Sequence, residues 1–335
     1  METNRRKIVA TAAAAACAAL LPGLASAQAP STGSGQASWP DKPVRVVVPW
    51  APGGITDIVA RLVAQKLSDK FGQQFVIDNK GGASGNIGAD MVAKAPADGY
   101  TLLLTNPGAF ATNQYLYANM SYKSSDFAPI IVLAKFPNAL IVHKDLPVKS
   151  VAEFVEYAKK NPTLMNGGSS GAGSSGHLSL ELFKSMTGAP VQNIFYKGAA
   201  PTKVDLASGR IQVVLDNIPG YLSELQSGSV RMLAVGTKTR LPTYPDIPTI
   251  DEAGVKGFEA SVWYAMAAPK GTPQAIVQRV AQAAQAALDA PDVQEKIKGL
   301  QGIIVGGTPD DAGKFFAEES ARWKAIIEKA GVKAE

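Results

Sequence analysis

Residues 166–177 read NGGSSGAGSSGH, with five glycines, four serines and one of the two histidines of the chain. Three chemistries suit such a run: a serine nucleophile beside its base, a phosphate cradle, or a turn that holds a ligand. Gly167-Gly168-Ser169-Ser170-Gly171 matches G-x-S-x-G, the turn that exposes the serine of α/β-hydrolases. That reading needs an acid and then a histidine later in the chain. His177 follows the serine by only eight positions, and His143 precedes it. A serine hydrolase using Ser169 is therefore disfavoured. Walker A needs a lysine at the end of its glycine loop, and none stands there. GGASGNIG, residues 81–88, does not fit the dinucleotide fingerprint either. Two histidines and a single cysteine, Cys17, offer no metal cluster of ligand spacing. No catalytic residue, metal or cofactor is expected.

Other residues carry two readings each. His177 stands at a helix start, where its ring can satisfy a backbone group or touch a ligand. His143 ends an apolar strand and reads as structural. Asp57 sits in the first turn of a helix, where it complements the dipole and can also organise the adjoining loop. Trp50 is either a core aromatic or an amphipathic cleft wall. The turns PWAPGG, GGASGN and SSGAGSSGH contain no Arg or Lys. An anion held there would be held by backbone N–H, hydroxyls and helix N-termini.

The elements that position these turns alternate. VRVVV (44–48) reads as a buried strand, and the helix TDIVARLVAQKLSDKFG follows the PWAPGG turn, with Thr56 as its cap and Gly72 as its end. QFVIDN, KGGASG and NIGADMVAKA repeat strand, turn and helix, with Pro96 as the stop. YTLLLT, FAPIIVLAK and NALIVHK read as three further strands. Ser150 and Glu153 form a capping box before VAEFVEYAKK. A second set follows: TLMNGGS, the helix HLSLELFKSMTG, VQNIFY, APTKVDLASG, IQVVLD, YLSELQSG and VRMLAVG. SVWYAMAAP reads as a strand returning to the first half, and two long helices close the chain, the last capped by Thr308 with Pro309 at its first position. The alternation implies an α/β fold with mostly parallel central sheets.

Residues 1–27 have a basic start (Arg5, Arg6, Lys7), a short apolar run and an Ala25-Ser26-Ala27 end, the pattern of a cleaved export signal. Residues 28–38 read as a flexible leader. Cys17 lies inside the signal, so the exported chain has no thiol. Of 335 residues, 33 are Lys or Arg and 28 Asp or Glu, for a net +5 that falls to +3 without the signal. No long basic run supports nucleic-acid binding. The length exceeds what one core usually serves and points to two lobes. Expected boundaries are 39–142 with 262–335 for lobe 1 and 143–261 for lobe 2, so that the chain crosses a hinge twice. Facing glycine turns at the carboxyl ends of strands imply a ligand cleft.

PWAPGGITD, NKGGASGNIGADMVAKAPADGYTLLLT, SSGAGSSGHLSLELF, YKGAAP, DIPTIDEAG and WYAMAAPKGTP occur in that order. The ordered set resembles the extracytoplasmic substrate-binding component of tripartite tricarboxylate transporters, the Bug or TctC type, over nearly the whole exported chain. The resemblance implies a two-lobe periplasmic binding protein of the Venus-flytrap kind, type II-like. It implies a non-enzymatic, monomeric receptor for a small organic carboxylate (a di- or tricarboxylate or an aromatic acid), which meets the membrane components of its transporter transiently. Carried onto this sequence, one carboxylate is gripped by Trp50, Ala51, Pro52, Gly53 and Gly54 with Asp57, and by Ala83, Ser84, Gly85 and Asn86, with Thr105 and Asn106 on the same side. Ser169, Ser170, Ser174, His177, Tyr196, Gly198 and Asp216 are the implied contributors from the other lobe. NPGAF (106–110) and IFYKG (194–198) depart from commoner family wording. The same scaffold could also serve as a ligand sensor for a signalling partner.

Overall fold

The computed structural model describes residues 39–334. The expected export signal and leader lie outside the described residues. In chain order the regular elements are β1 (Val44–Val48), α1 (Ile55–Phe71), β2 (Phe75–Asn79), α2 (Asn86–Ala93), β3 (Thr101–Thr105), α3 (Asn113–Leu116), β4 (Phe127–His143), α4 (Val151–Lys160), β5 (Asn166–Ser169), α5 (Ser175–Thr187), β6 (Gln192–Phe195), α6 (Ala199–Ala207), β7 (Val213–Asn217), α7 (Leu222–Ser227), β8 (Val230–Val235), β9 (Ser261–Pro269), α8 (Gln274–Asp289), α9 (Pro291–Gly299), β10 (Ile303–Gly306) and α10 (Pro309–Ala330). None of the described helices is long and apolar enough to cross a membrane.

β-branched β1 lies between β2 and β3 and pairs in parallel with both. α1 lays Val59, Val63 and Leu67 on it with no exposed surface, each contributing roughly 1.5–3 kcal/mol of burial. Gly72 ends α1 in the left-handed region, φ 67°, which costs glycine no Cβ clash. The helix starts two residues earlier than the expected Thr56 cap. Gly54 is its N-cap, without a side-chain bond, and Thr56 is buried in the first turn.

The second set repeats the first. β5 pairs in parallel with β6 and β7, as β1 does with β2 and β3. The expectation of mostly parallel sheets needs correcting, because the sheets are mixed. β9 runs antiparallel to β3 and β4, while β7, β8 and β10 all run antiparallel to β4. A strand that carries the chain out of one sheet enters the next against its parallel set, and the βα alternation does not reveal that.

β4 is one strand of 17 residues where two were expected. Phe127 to Pro137 pair with β9, and from Asn138 onward the partners are β7 and β8. The change of sheet thus falls at Pro137/Asn138. The cap of α4 is also half as expected: Ser150 Oγ accepts from Glu153 N at 3.2 Å, but the Glu153 carboxylate accepts from Lys149 N at 2.6 Å. Near the C-terminus Ala290 leaves helical geometry (ψ 130°) and Pro291 opens a new helix, so that α9 and β10 stand between the two expected helices. The expected start of the last helix holds, with Thr308 Oγ1 accepting from Asp311 N and Pro309 at the first position.

Each sheet has its own cores, Val44, Leu102 and Val280 among the first sheet's residues and Leu140, Phe183 and Leu215 among the second's. A further cluster joins Leu116, from the first set, to Leu178 of α5 through Trp323 and Ile327 of α10.

Candidate functional site

The turn after β1 leaves Ala51, Pro52, Gly53 and Gly54 exposed, while Asp57, one turn into α1, is buried. Asp57 Oδ2 accepts from Gly53 N at 3.0 Å and from Arg61 Nε at 2.9 Å; Oδ1 accepts from Asn79 Nδ2 at 3.0 Å. The same Asn79 amide donates to Trp50 O at 3.0 Å. Burial pushes the Asp57 carboxyl up, but the Arg61, Gly53 and Asn79 hydrogen bonds and the Arg61 charge outweigh it and leave its pKa below the ordinary value. The carboxylate is therefore committed to the turn, and Arg61 is neutralised beside it. Trp50 Nε1 donates to the buried Thr105 Oγ1 at 3.2 Å, tying the turn after β1 to the end of β3. Asn106 accepts from Gly108 N at 3.1 Å and shapes the turn after β3.

After β2 the backbone takes positive φ four times running: Gly82 130°, Ala83 47°, Ser84 52° and Gly85 89°. Left-handed geometry costs a non-glycine residue roughly 1–2 kcal/mol, so Ala83 and Ser84 are held there by their surroundings. Asn113 Nδ2 donates to Ser84 O at 3.2 Å and to Asn86 Oδ1 at 2.6 Å. Tyr122 donates to Asn86 Oδ1, and Tyr117 to Ser84 Oγ, both at 2.8 Å. Runs of left-handed residues can offer backbone N–H groups to an anion; here Gly85 N donates back to Gly82 O at 3.0 Å and Asn86 N to Ala83 O. The turn leads into α2, whose N-cap Gly85 supplies no side-chain bond.

On the other side, Ser169 is fully buried and its Oγ donates to Asn193 Oδ1 at 3.0 Å. Ser174 caps α5, its Oγ accepting from His177 N at 3.2 Å. His177 Nδ1 accepts from Gly173 N at 2.9 Å, and the ring stands edge-on to Phe195 at 4.8 Å between centroids. Burial lowers the His177 pKa, which keeps the ring neutral and accepting. The hydroxyl of Ser169 and the accepting nitrogen of His177 are thus spent on different partners, and the G-x-S-x-G match builds no nucleophile. Tyr196 donates to Asp205 Oδ2 at 2.8 Å; burial, then Asp205, pushes its pKa up to about 12. Gly198, φ 106°, heads α6 without a side-chain cap and donates its N–H to Ser170 O at 3.2 Å. Asp216 stands one residue before the end of β7 and is buried; burial raises its pKa.

The two sets of turns touch. Ser84 Oγ donates to Ala172 O at 3.2 Å, and a Cβ on Gly173 would lie 2.8 Å from Leu116 Cδ1. The sequence-derived residues thus divide by role. The side chains of Trp50, Asp57, Thr105, Asn86, Ser169, Ser174, His177 and Tyr196 hold turns in shape. Ala51 to Gly54 and Ala83 are exposed, Ser84 and Ser170 to Gly173 are half-buried, and Gly85 is buried. Asn79, Asn113, Tyr117 and Tyr122 were not among the expected site residues. They lie 22 to 36 positions from the groups they hold, and no motif marks them.

Nor was Asn138 expected, at the change of sheet and fully buried. Its Nδ2 donates to Ser179 Oγ at 2.7 Å and Ser175 O at 3.4 Å, and its Oδ1 accepts from Asn217 Nδ2. Its backbone accepts from Gly236 N at 2.7 Å and donates to Ala260 O at 3.3 Å. It therefore ties both crossings between the sheets to the first turns of α5.

The family model of the tripartite tricarboxylate transporter family receptor matches residues 59–332. The chain belongs to that family. This receptor is 36% identical over 298 residues to Protein BugT of Bordetella pertussis, which covers 88% of this chain and 91% of that one. A solved structure, R. palustris Rpa4515 with adipate, is similar at 45% identity and a TM-score of 0.83, over 88% of this chain and 99% of that one. MatC of Rhodopseudomonas palustris with bound malate is similar at 31% identity and a TM-score of 0.79, over 86% and 100%. The receptor has the α/β periplasmic binding protein fold of these proteins. It is a binding protein and not an enzyme.

Proposed function

We propose that this receptor captures a small organic carboxylate between the turns at Trp50–Gly54 and Ala83–Asn86 on one side and Ser170–Ser174 with Gly198 on the other. In this reading residues 1–27 direct export and are removed after Ala27. The loaded, monomeric receptor then delivers the acid to the membrane components of a tripartite transporter. The observation that carries the reading is the run of four left-handed residues Gly82–Gly85, held by Asn113 and Tyr117. Adipate and malate in the two similar structures support a carboxylate as the ligand class. Hydrogen bonds to a charged group contribute roughly 1.5–3 kcal/mol each. A micromolar complex needs about 8 kcal/mol, so four or five such contacts, less the cost of ordering, suffice without a formal cation. The contact between Ser84 and Ala172 supports closure over the ligand, as a shift between open and closed forms. Calorimetry and thermal shift across mono-, di- and tricarboxylates, aromatic acids, sugars and amines test the reading. Response to at least one carboxylate is expected. Response only to a sugar or an amine refutes it.

A further inference from the structure

The two halves of α10 have different neighbours. The first half lies with the first sheet, where Phe316 stacks on Phe110 and Trp263. The second half reaches α3 and α5. Ser320 Oγ accepts from Gln114 Nε2 of α3 at 2.9 Å and shares a hydrogen bond with the Tyr115 hydroxyl at 2.8 Å. Trp323 and Ile327 are buried in one cluster with Leu116 of α3 and Leu178 of α5, and Ile326 packs against the core of the second sheet. Glu319 Oε2 accepts from Trp323 Nε1 at 3.1 Å and from Trp263 Nε1 of β9 at 2.9 Å, which fixes the Trp323 ring to the first sheet. Trp323 also borders the narrow gap between Asn106 and Thr112 on one side and Gly173 and Ser175 on the other. Gly331, φ 64°, then turns the chain back, and Ala334 N donates to Leu116 O at 2.9 Å.

α3 is in turn what holds the left-handed turn. Asn113 donates to Ser84 O, and Tyr117, the residue after α3, donates to Ser84 Oγ. Ser84 Oγ passes the bond on to Ala172 O, and a Cβ on Gly173 would strike Leu116. A line of contacts thus runs from α10 through α3 to Ser84 and across to the glycine-serine run, and none of its links is made by a ligand. Parting α3 from α5 would bring Trp323 and Ile327 into water, which the hydrophobic effect opposes. Building on the receptor reading, we propose that the second half of α10 with residues 331–334 is a clasp. It positions the Ser84 turn against Ala172 and Gly173 before the acid arrives, and Trp323 and Ile327 are its positioning residues. Apparent affinity then scales with the fraction of molecules already so assembled.

The experiment combines calorimetry and stopped-flow kinetics of the full receptor with adipate and small-angle scattering of the free protein. Two variants loosen the clasp, Ile327→Ala and a chain ending at Gly331; the second leaves the described helices intact if the first fails to fold. In both, adipate should bind about tenfold more weakly, chiefly through faster dissociation. The free variants should scatter as more open particles than the free wild type, and saturating adipate should restore the wild-type profile. Val280→Ala, in the first sheet's core and away from α3 and α5, should lose stability yet keep affinity within about twofold. Wild-type dissociation and free-state scattering in the folded clasp variants overturn the proposal. So does an equal loss of affinity in Val280→Ala, which would make the effect one of general stability. A wild type that binds no carboxylate overturns the receptor reading, and the free-state scattering then decides the clasp by itself.

Discussion

Asp57→Ala tests the claim that the first turn is pre-shaped by a carboxylate that never meets ligand. The substitution removes the acceptor for Gly53 N–H, the Asn79 amide and Arg61 Nε. The Arg61 side chain is 55% exposed, so its pairing is worth little once water screens it. Gly53 is exposed and its N–H can turn to water. The part-buried Asn79 Nδ2 keeps only its bond to Trp50 O. With charged hydrogen bonds at roughly 1.5–3 kcal/mol each before rehydration, the loss of stability should be about 2–3 kcal/mol. Binding should suffer separately. Gly53 and Gly54 become free in the unliganded protein, and ordering a residue costs roughly 1–2 kcal/mol. A loss of about 2–3 kcal/mol of binding corresponds to roughly 30- to 150-fold weaker affinity. Urea unfolding gives the first number and calorimetry with the best-bound carboxylate the second. The acid limb offers a further check. Because the folded Asp57 pKa lies below its unfolded value of about 3.9, its contribution is present above that pH and is lost as pH falls through the folded pKa. That part of the acid limb should be absent from the variant. Stability within about 0.5 kcal/mol of wild type together with unchanged affinity would refute the reasoning.

Two other expectations concern neighbouring features. Gly85→Val should reduce carboxylate affinity at least tenfold while the protein stays folded. φ at this position is 89° and a Cβ meets Trp50 Cζ2 only at 3.5 Å, so backbone strain rather than a clash reshapes the turn. Calorimetry showing wild-type affinity in the folded variant would exclude that turn from the site. The buried, neutral His177 has a lowered pKa, so stability is full above the unfolded value of about 6.5 and declines as pH falls below it. His177→Gln should flatten that decline between pH 6.5 and 5 in thermal unfolding, and an unaltered slope would mean that the ring is not the titrating group.

The regular elements with strong periodicity could be read directly. The apolar face of α1, the left-handed glycine at its end and the Thr308 cap of α10 all depend on neighbours within four residues, and sequence records such neighbours. Mixed strand direction could not be read in that way, because it depends on where β4 and β9 cross between sheets. The two strands expected on either side of Pro137 are one, and Pro137 lies where that strand changes partners and a missing N–H is tolerated. At the site, the glycine turns stood out by composition. What the side chains beside them do was less legible: Ser169, His177 and Tyr196 have the chemistry of ligand contacts and spend it on Asn193, Gly173 and Asp205. Asn79 and Asn113 do much of the holding, and a lone asparagine distant in sequence carries no signal of that role.

The crossing strands also order the assembly of the molecule. β3 obtains its inner neighbour only from β9, whose first residue is Ser261, so the first sheet stays open until most of the chain is available. The set from Asn138 to Val235 contains all the strand pairings of the second sheet within one continuous stretch. Loop closure over the longer span costs more chain entropy and slows pairing. The part translated in the middle is therefore the part able to form first, and the N-terminal strands, translated earliest, must wait with one edge unpaired.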